Sequence, residues 1–426
     1  MKKSFSYSLT AALAGLLFGF DTVVISGADQ RLQELWNTSD LFHGWLIMAS
    51  ALWGTVLGAL FGNHPTDQWG RKKTLLFIGL CFFISAIGSA LANHTYVFIF
   101  FRFVGGIAIG VSTIAVPAYI TEISKAELRG RRVALYQFSI VLGILVAMSS
   151  NYALQFIEDA AWRWMLAVEA LPALFYCILV VKLDESPKWL GMKGRRKQAV
   201  EIADRIGLDW QEKKESLKEL KPSLSFFRRN KRALFWVIAL AFFNQFSGIN
   251  AILYYAPRIF ETAGLATSAA FLGSVGIGVV NLVFTLLGMY LIDRWGRKKL
   301  MHLGSIGYIL SLTVIAIAFY AEWSGIIVVW STMAFIAAHA VGQGTVIWVF
   351  IAEVFPVESR AQGQAVGSSV HWVLAAAIPA FIPVLFTSVG PAVVFSGFAL
   401  MMVLQLLWVY FIMPETKGKK AAVKES

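Results

Sequence analysis

Residues Phe242 to Pro257, FFNQFSGINAILYYAP, set Asn244, Gln245, Asn250, Tyr254 and Tyr255 inside a run otherwise apolar enough to cross a bilayer. An amide supplies both a donor and an acceptor, so a group of amides suits sugar hydroxyls, and in hydrocarbon it must find partners of some kind. Asn250 and Tyr254 are four residues apart and share a helix face. Gln245 lies about 140° from Asn250 on a regular helix, and Gly248 is the place where the chain could unwind and bring the two together. Adhesion between helices is the competing use of buried amides. A cluster beside Gly and Pro favours a ligand site, because broken helices near the bilayer midplane are where transporters hold substrate.

A different chemistry is offered by Asp21 in LLFGFDTVVISG. A charged carboxylate inside an apolar span costs roughly 2.5 to 3.5 kcal/mol to insert, so it is neutral part of the time or paired. Arg102, in FFRFVGGIAIG, is the one cation within the spans and the natural partner. A guanidinium favours the ionised carboxylate and burial the neutral acid, a balance suited to carrying a proton. A permanent structural ion pair is the alternative. Glu169, in the sixth apolar block, reads as structural, and Gly106 and Gly110 as small residues for close helix packing. The six histidines lack metal-ligand spacing, both cysteines fall within spans, and no nucleophile, base and acid stand together; neither an enzyme nor a cofactor or metal is expected.

The elements that must position these groups follow from composition. With 58% hydrophobic and 15% charged residues, the 426-residue chain reads as a polytopic membrane protein. Twelve apolar blocks occur between residues 8 and 412, the first of them too long and too polar at Asp21 for a cleavable signal. The formal charge of +12 does not point to nucleic acid, because Lys and Arg fall almost entirely on one side of these blocks, with only Arg31, Arg163 and Arg258 on the other. That asymmetry places both termini in the cytoplasm and the basic face against the lipid headgroups.

The halves repeat. Asp67-Gln-Trp-Gly-Arg71-Lys-Lys returns as Asp293-Arg-Trp-Gly-Arg297-Lys-Lys, Glu122 to Arg129 as Glu353 to Arg360, and Glu185 as Glu415. A shift of about 230 residues at all three places implies duplication of a six-helix unit with a site between the copies. The expected division is residues 1–183 and 233–414 as six-helix bundles, 184–232 as a basic linker with short amphipathic helices, and 415–426 as a tail. An anchor to headgroups needs Lys and Arg but no matched acids, so these repeated acids and bases are expected to pair.

QFSGINAILYYAP resembles the seventh-helix signature of the sugar porter family of the major facilitator superfamily. The resemblance runs along the chain through RFVGGIAIG, EISKAELRG, DESPKWL, EVFPVESR and PETKG. It implies an all-α fold of twelve transmembrane helices in two pseudo-symmetric bundles, importing a monosaccharide with a proton by alternating access as a monomer in a bacterial inner membrane. A uniporter or a sugar sensor of the same fold are the alternatives. It implies sugar contacts at Phe18, Gln137, Asn244, Gln245, Asn250, Tyr254, Asn281, Gly344, Trp348, His371 and Trp372, with proton coupling at Asp21 and Arg102. It also implies a cytoplasmic gate of Asp67, Arg71, Glu122, Arg129, Glu185, Asp293, Arg297, Glu353, Arg360 and Glu415. The chain departs from the family at Asn244, where Gln is usual, at Gly344-Thr345 in place of Gly-Pro, at His371, and at Ala375 in place of Asn. Loss of the proline is expected to leave the tenth helix straighter.

Overall fold

The structure, a computed structural model, describes residues 2–157, 160–208, 224–356 and 359–418, and every regular element among them is a helix. A helix satisfies its backbone groups internally, as passage through hydrocarbon requires. Among the described residues eleven helices are long and apolar enough to cross a membrane, and there are twelve if the pair Asp40–Met48 and Ser50–Phe61, bent by 41°, is counted as one span. In chain order the first six spans are Lys3–Gly27, this bent pair, Arg71–Leu91, Thr95–Glu122, Ala126–Leu154 and Ala161–Val181. The seventh to twelfth are Lys231–Thr262, Thr267–Trp295, Arg297–Tyr320, Gly325–Glu353, Gln362–Ser388 and Pro391–Phe411.

The chain divides into two compact units, one of Met1–Asn37 with Ala49–Leu217, the other of Thr38–Met48 with Lys218–Ser426. In the first unit the second and fourth spans meet at Gly106 and Gly110. A Cβ on Gly106 would stand 1.9 Å from the Ala51 carbonyl oxygen and one on Gly110 2.4 Å from that of Thr55, so only glycine allows this approach. The sixth span is interrupted at Val168 and Glu169, between helices Ala161–Ala167 and Ala170–Val181. After it come Pro187–Met192 and Arg196–Ile206; the latter buries Ala199, Ala203 and Ile206 along one face and ends at Gly207 in the left-handed conformation. Helix Leu224–Arg229 precedes the seventh span in the second unit, and linker residues 209–223 lie outside the described residues.

In the second unit the seventh span is two helices, Lys231–Phe246 and Ile249–Thr262. They are joined through Gly248 at φ +85°, a conformation other residues adopt only with strain. A Cβ there would also sit 2.6 Å from the ring of Phe398. The tenth span runs continuously through Gly344-Thr345, but it is not a uniform α-helix. Ala340–Gly344 form a π-helical turn, and the Thr345 hydroxyl donates to the Ala340 carbonyl at 2.6 Å. A polar side chain at 345 thus replaces one kind of irregularity with another. The π-helical run His43–Met48 belongs to this unit, where the Trp45 ring packs edge-on against Phe381 at 5.1 Å.

Candidate functional site

Each unit holds a buried polar cluster. In the first, Asp21 is fully buried and Arg102 is 1% exposed. Arg102 Nη1 donates to Asp21 Oδ1 at 2.5 Å and Nη2 to the Asp21 backbone carbonyl at 2.8 Å. This double hold on side chain and backbone fixes the guanidinium to one turn of the first span. Gly105 makes room for it: a Cβ there would lie 3.3 Å from Asp21 Oδ1 and 2.4 Å from Ser85 Oγ. Glu169, from the break in the sixth span, is a third member, its carboxyl interacting with that of Asp21 and with Arg102. Asp21 Oδ2 and Glu169 Oε1 are buried with no donor among the described residues. The Arg102 guanidinium is bonded to Asp21, with Glu169 beside that pair, and a proton held by either carboxyl would supply the donor the two carboxyl groups lack. In sequence Glu169 reads as structural, and the signal pointing to a larger role is that it is a second carboxylate within an apolar block.

In the second unit the unwinding at Gly248 does what the sequence required of it, and Asn250 Nδ2 donates to Gln245 Oε1 at 2.7 Å. Gln245 Nε2 donates to Asn244 Oδ1 at 2.9 Å and lies 3.3 and 3.4 Å from the ring nitrogens of His371. The His371 ring stands edge-on to Trp348 at 4.8 Å and to Trp372 at 5.1 Å. Trp348 is 37% exposed while Trp372 is 6% exposed, so Trp348 is the ring with a face left to offer. The structure therefore brings Asn244, Gln245, Asn250, Trp348, His371 and Trp372 into one cluster of amides and aromatic rings.

Asn281 is paired along its own helix, accepting from Thr285 Oγ1 at 3.4 Å. Tyr254 is fully buried, Gly344 closes the π-helical turn against His339, and Ala375 is fully buried. Phe18 and Gln137 are half-buried on the first and fifth spans of the other unit. Behind the amide cluster runs a second layer that sequence reading did not single out. Gln343 Oε1 accepts from Asn244 Nδ2 at 3.4 Å and from Tyr308 at 3.1 Å, Gln343 Nε2 donates to Gln405 Oε1, and the Tyr308 hydroxyl is 2.5 Å from His339 Nδ1. Gln343 and Gln405 are amides inside the tenth and twelfth spans, the same signal that marked the seventh.

The repeated turns build two matching charge networks. Arg71 donates to both oxygens of Glu122 at 2.9 Å and to Asp67 Oδ1 at 3.1 Å. Glu185 accepts the backbone N–H groups of Arg71 at 2.9 Å and of Lys72 at 3.2 Å. Arg297 holds Glu353 at 3.0 and 2.7 Å, and Asp293 at 3.3 Å, while Glu415 accepts from Arg297 N at 3.1 Å and Lys298 N at 3.0 Å. Gly70 at φ +96° and Gly296 at φ +89° admit the glutamates; a Cβ at either would lie within 2.4 and 2.6 Å of a carboxylate oxygen. Arg129 and Arg360 stand outside these pairs. Arg129 donates to the Ser124 carbonyl at 3.3 Å, and Arg360 Nε is buried with no partner among the described residues. Burial pushes the Glu185 carboxyl above its ordinary range despite the N–H groups of Ser186, Lys72 and Arg71. Burial also opposes ionisation of Glu415, but the N–H groups of Lys417, Lys298, Arg297 and Thr416 together hold it below that range.

Comparison with known proteins bears on the fold and the family. A family model described as "Sugar (and other) transporter" matches residues 7–422. The arabinose-proton symporter of Bacillus subtilis is 36% identical over 429 residues, an alignment covering 97% of this chain and 92% of the relative. The D-xylose-proton symporter of Escherichia coli is 33% identical over 460 residues, covering 97% and 94%. Among solved structures, a partially occluded inward-open conformation of the xylose transporter XylE from E. coli superposes with a TM-score of 0.86 at 31% identity, covering 99% of this chain and 100% of that one. The duplicated turns, the broken seventh span and these alignments lead to one conclusion: the chain is a multi-pass membrane protein that belongs to the sugar transporter family of the major facilitator superfamily.

Proposed function

We propose that the protein imports a monosaccharide, a pentose or a hexose, together with a proton, by alternating access in a bacterial inner membrane, with both termini cytoplasmic and one chain as the working unit. The observation that carries this reading is the division of polar chemistry between the two units: a buried Asp21–Arg102 pair in one and a neutral amide and aromatic cluster in the other. Amides of Gln245 and Asn250 would exchange their mutual hydrogen bond for sugar hydroxyls, with Trp348 stacking on the C–H face of the ring. Phe18, Gln137, Tyr254, Asn281 and Gly344 are proposed as further contacts by resemblance. The relatives named as arabinose-proton and D-xylose-proton symporters support a small sugar and a proton as the pair of substrates.

In the cycle we propose, protonation of Asp21 releases Arg102 when the site faces outward, and passage of that proton to the cytoplasm by way of Glu169 reforms the pair. The networks around Arg71 and Arg297 serve as the cytoplasmic gate: the pairs to the exposed Asp67 and Asp293 are worth roughly 0 to 1 kcal/mol each, whereas the buried Arg71–Glu122 pair costs more to open. Uptake of labelled pentoses and hexoses into proteoliposomes, with and without an inward proton gradient, tests the whole reading. Accumulation driven by the gradient is the expected result. Uptake that only equilibrates, with or without the gradient, makes the protein a uniporter, and absence of any sugar uptake removes the reading.

A further inference from the structure

The second polar layer in the second unit has a direction. Its far end is the carbonyl of Met301 on the ninth span, which can only accept, so the Ser305 hydroxyl that lies 2.7 Å from it must donate. With its proton committed, Ser305 Oγ accepts from Gln405 Nε2 at 2.8 Å, which turns Gln405 Oε1 toward Gln343. Gln343 must then present Nε2 to Gln405 and Oε1 to Asn244, and Asn244 in turn presents Oδ1 to Gln245 Nε2. That leaves Gln245 Oε1 facing Asn250 Nδ2. Each amide in this series could be turned over alone, exchanging its donor and acceptor, but each turn would set two donors or two acceptors against one another. Tyr308 secures the middle of the series from the side. It has one proton, given to Gln343 Oε1, so it accepts from His339 Nδ1, and that histidine is held as the Nδ1–H tautomer. Gln343 and Gln405 are fully buried, beyond the reach of water that could substitute for a lost partner.

We infer that Ser305, Gln405 and Gln343 are positioning residues that decide which atoms of Gln245 and Asn250 are offered to the sugar as donors and which as acceptors, and thereby set specificity among hydroxyl patterns. This rests on the proposed sugar site. A layer that merely held the ninth, tenth and twelfth spans together would affect stability and leave the ranking of sugars alone. The two differ sharply for deoxyfluoro sugars, in which fluorine replaces a hydroxyl and accepts weakly but cannot donate.

The test is equilibrium binding of pentoses, hexoses and their deoxy and deoxyfluoro analogues to the full-length protein in detergent or nanodiscs, for wild type, Ser305→Ala, Gln405→Met and Ser305→Thr. Ser305→Ala and Gln405→Met are expected to change the relative affinity at one or more sugar positions by about five- to tenfold, with an altered penalty for fluorine there, while Ser305→Thr keeps the wild-type pattern. Gln405→Met preserves volume, so it answers the question even if Ser305→Ala folds poorly. A lowered thermal midpoint with an unchanged ranking and unchanged fluorine penalties in both variants would overturn the inference and leave the sugar site standing. A wild type that bound none of the panel would overturn the sugar reading, and this inference with it.

Discussion

The two units bury polar groups in opposite ways. The first keeps charge, one guanidinium against two carboxyl groups; the second keeps neutral amides, an imidazole and aromatic rings. A buried charge changes its energy steeply when a partner moves or a proton arrives, because the low dielectric leaves nothing else to screen it. Amides exchange one hydrogen bond for another at little net energy, which suits a ligand that must be bound and released. A sensitive charged group and a tolerant neutral one are what coupling and recognition respectively demand.

The comparison breaks most completely at Asp21. Asp21→Asn removes the carboxyl that Arg102 holds directly, so gradient-driven accumulation is expected to disappear while sugar counterflow in the same vesicles persists. Accumulation by Asp21→Asn would move coupling to Glu169 or His371. Next in size is Arg102→Met, which leaves two buried carboxyl groups without their cation. Breaking a buried pair from one side costs about 3 to 5 kcal/mol, and thermal unfolding of the purified protein should show most of it, with partial recovery in the double variant carrying Asp21→Asn.

Smaller effects are expected in the neutral cluster. Gln245→Ala or Asn250→Ala removes one buried hydrogen-bonding partner, about 1 to 3 kcal/mol, and should lower sugar affinity roughly five- to hundredfold in a titration with folding close to wild type. Normal binding in both variants would make the cluster an adhesion between helix segments. For His371, whose ring offers one donor and one acceptor, replacement by Gln should reorder pentoses against hexoses in competition assays without abolishing binding, and an unchanged order would remove His371 from the site.

The smallest effect concerns the repeated turns, whose matching sequences carry glutamates shifted in opposite directions. Glu185 stands just before helix Pro187–Met192, whose Trp189 donates to the Asp67 carbonyl at 2.8 Å, whereas Glu415 is followed by exposed Lys417 and gains that residue's N–H. Ionised Glu185 is therefore costly, and its turn loses stability as pH rises through the raised pKa. Ionised Glu415 is favoured, and its stabilisation is present above the ordinary carboxylate range and lost as pH falls through the lowered one. On acidification from neutral pH the carboxylate at 185 should take its proton first. Hydrogen exchange corrected for intrinsic rate should then show the amides of Arg71 and Lys72 changing protection at higher pH than those of Arg297 and Lys298. The reverse order would mean that burial does not govern the difference.

Much of this molecule is legible from its sequence because hydropathy and repeated short motifs are local properties. Runs of apolar residues set the spans. The return of Asp-x-Trp-Gly-Arg set the turns, and Gly248 among amides marked the break that joins Asn250 to Gln245. What those signals leave open is rotation about each helix axis and the crossing of one helix over another, which decide partners between spans. Tertiary structure alone assigned Glu122 to Arg71 and left Arg129 on a backbone carbonyl, brought Glu169 from the sixth span to Asp21, and lined Gln343, Gln405 and Ser305 up behind Asn244. Each of these residues looks the same in sequence whether it faces lipid, a neighbouring span or a ligand, and only the packing of the helices makes that choice.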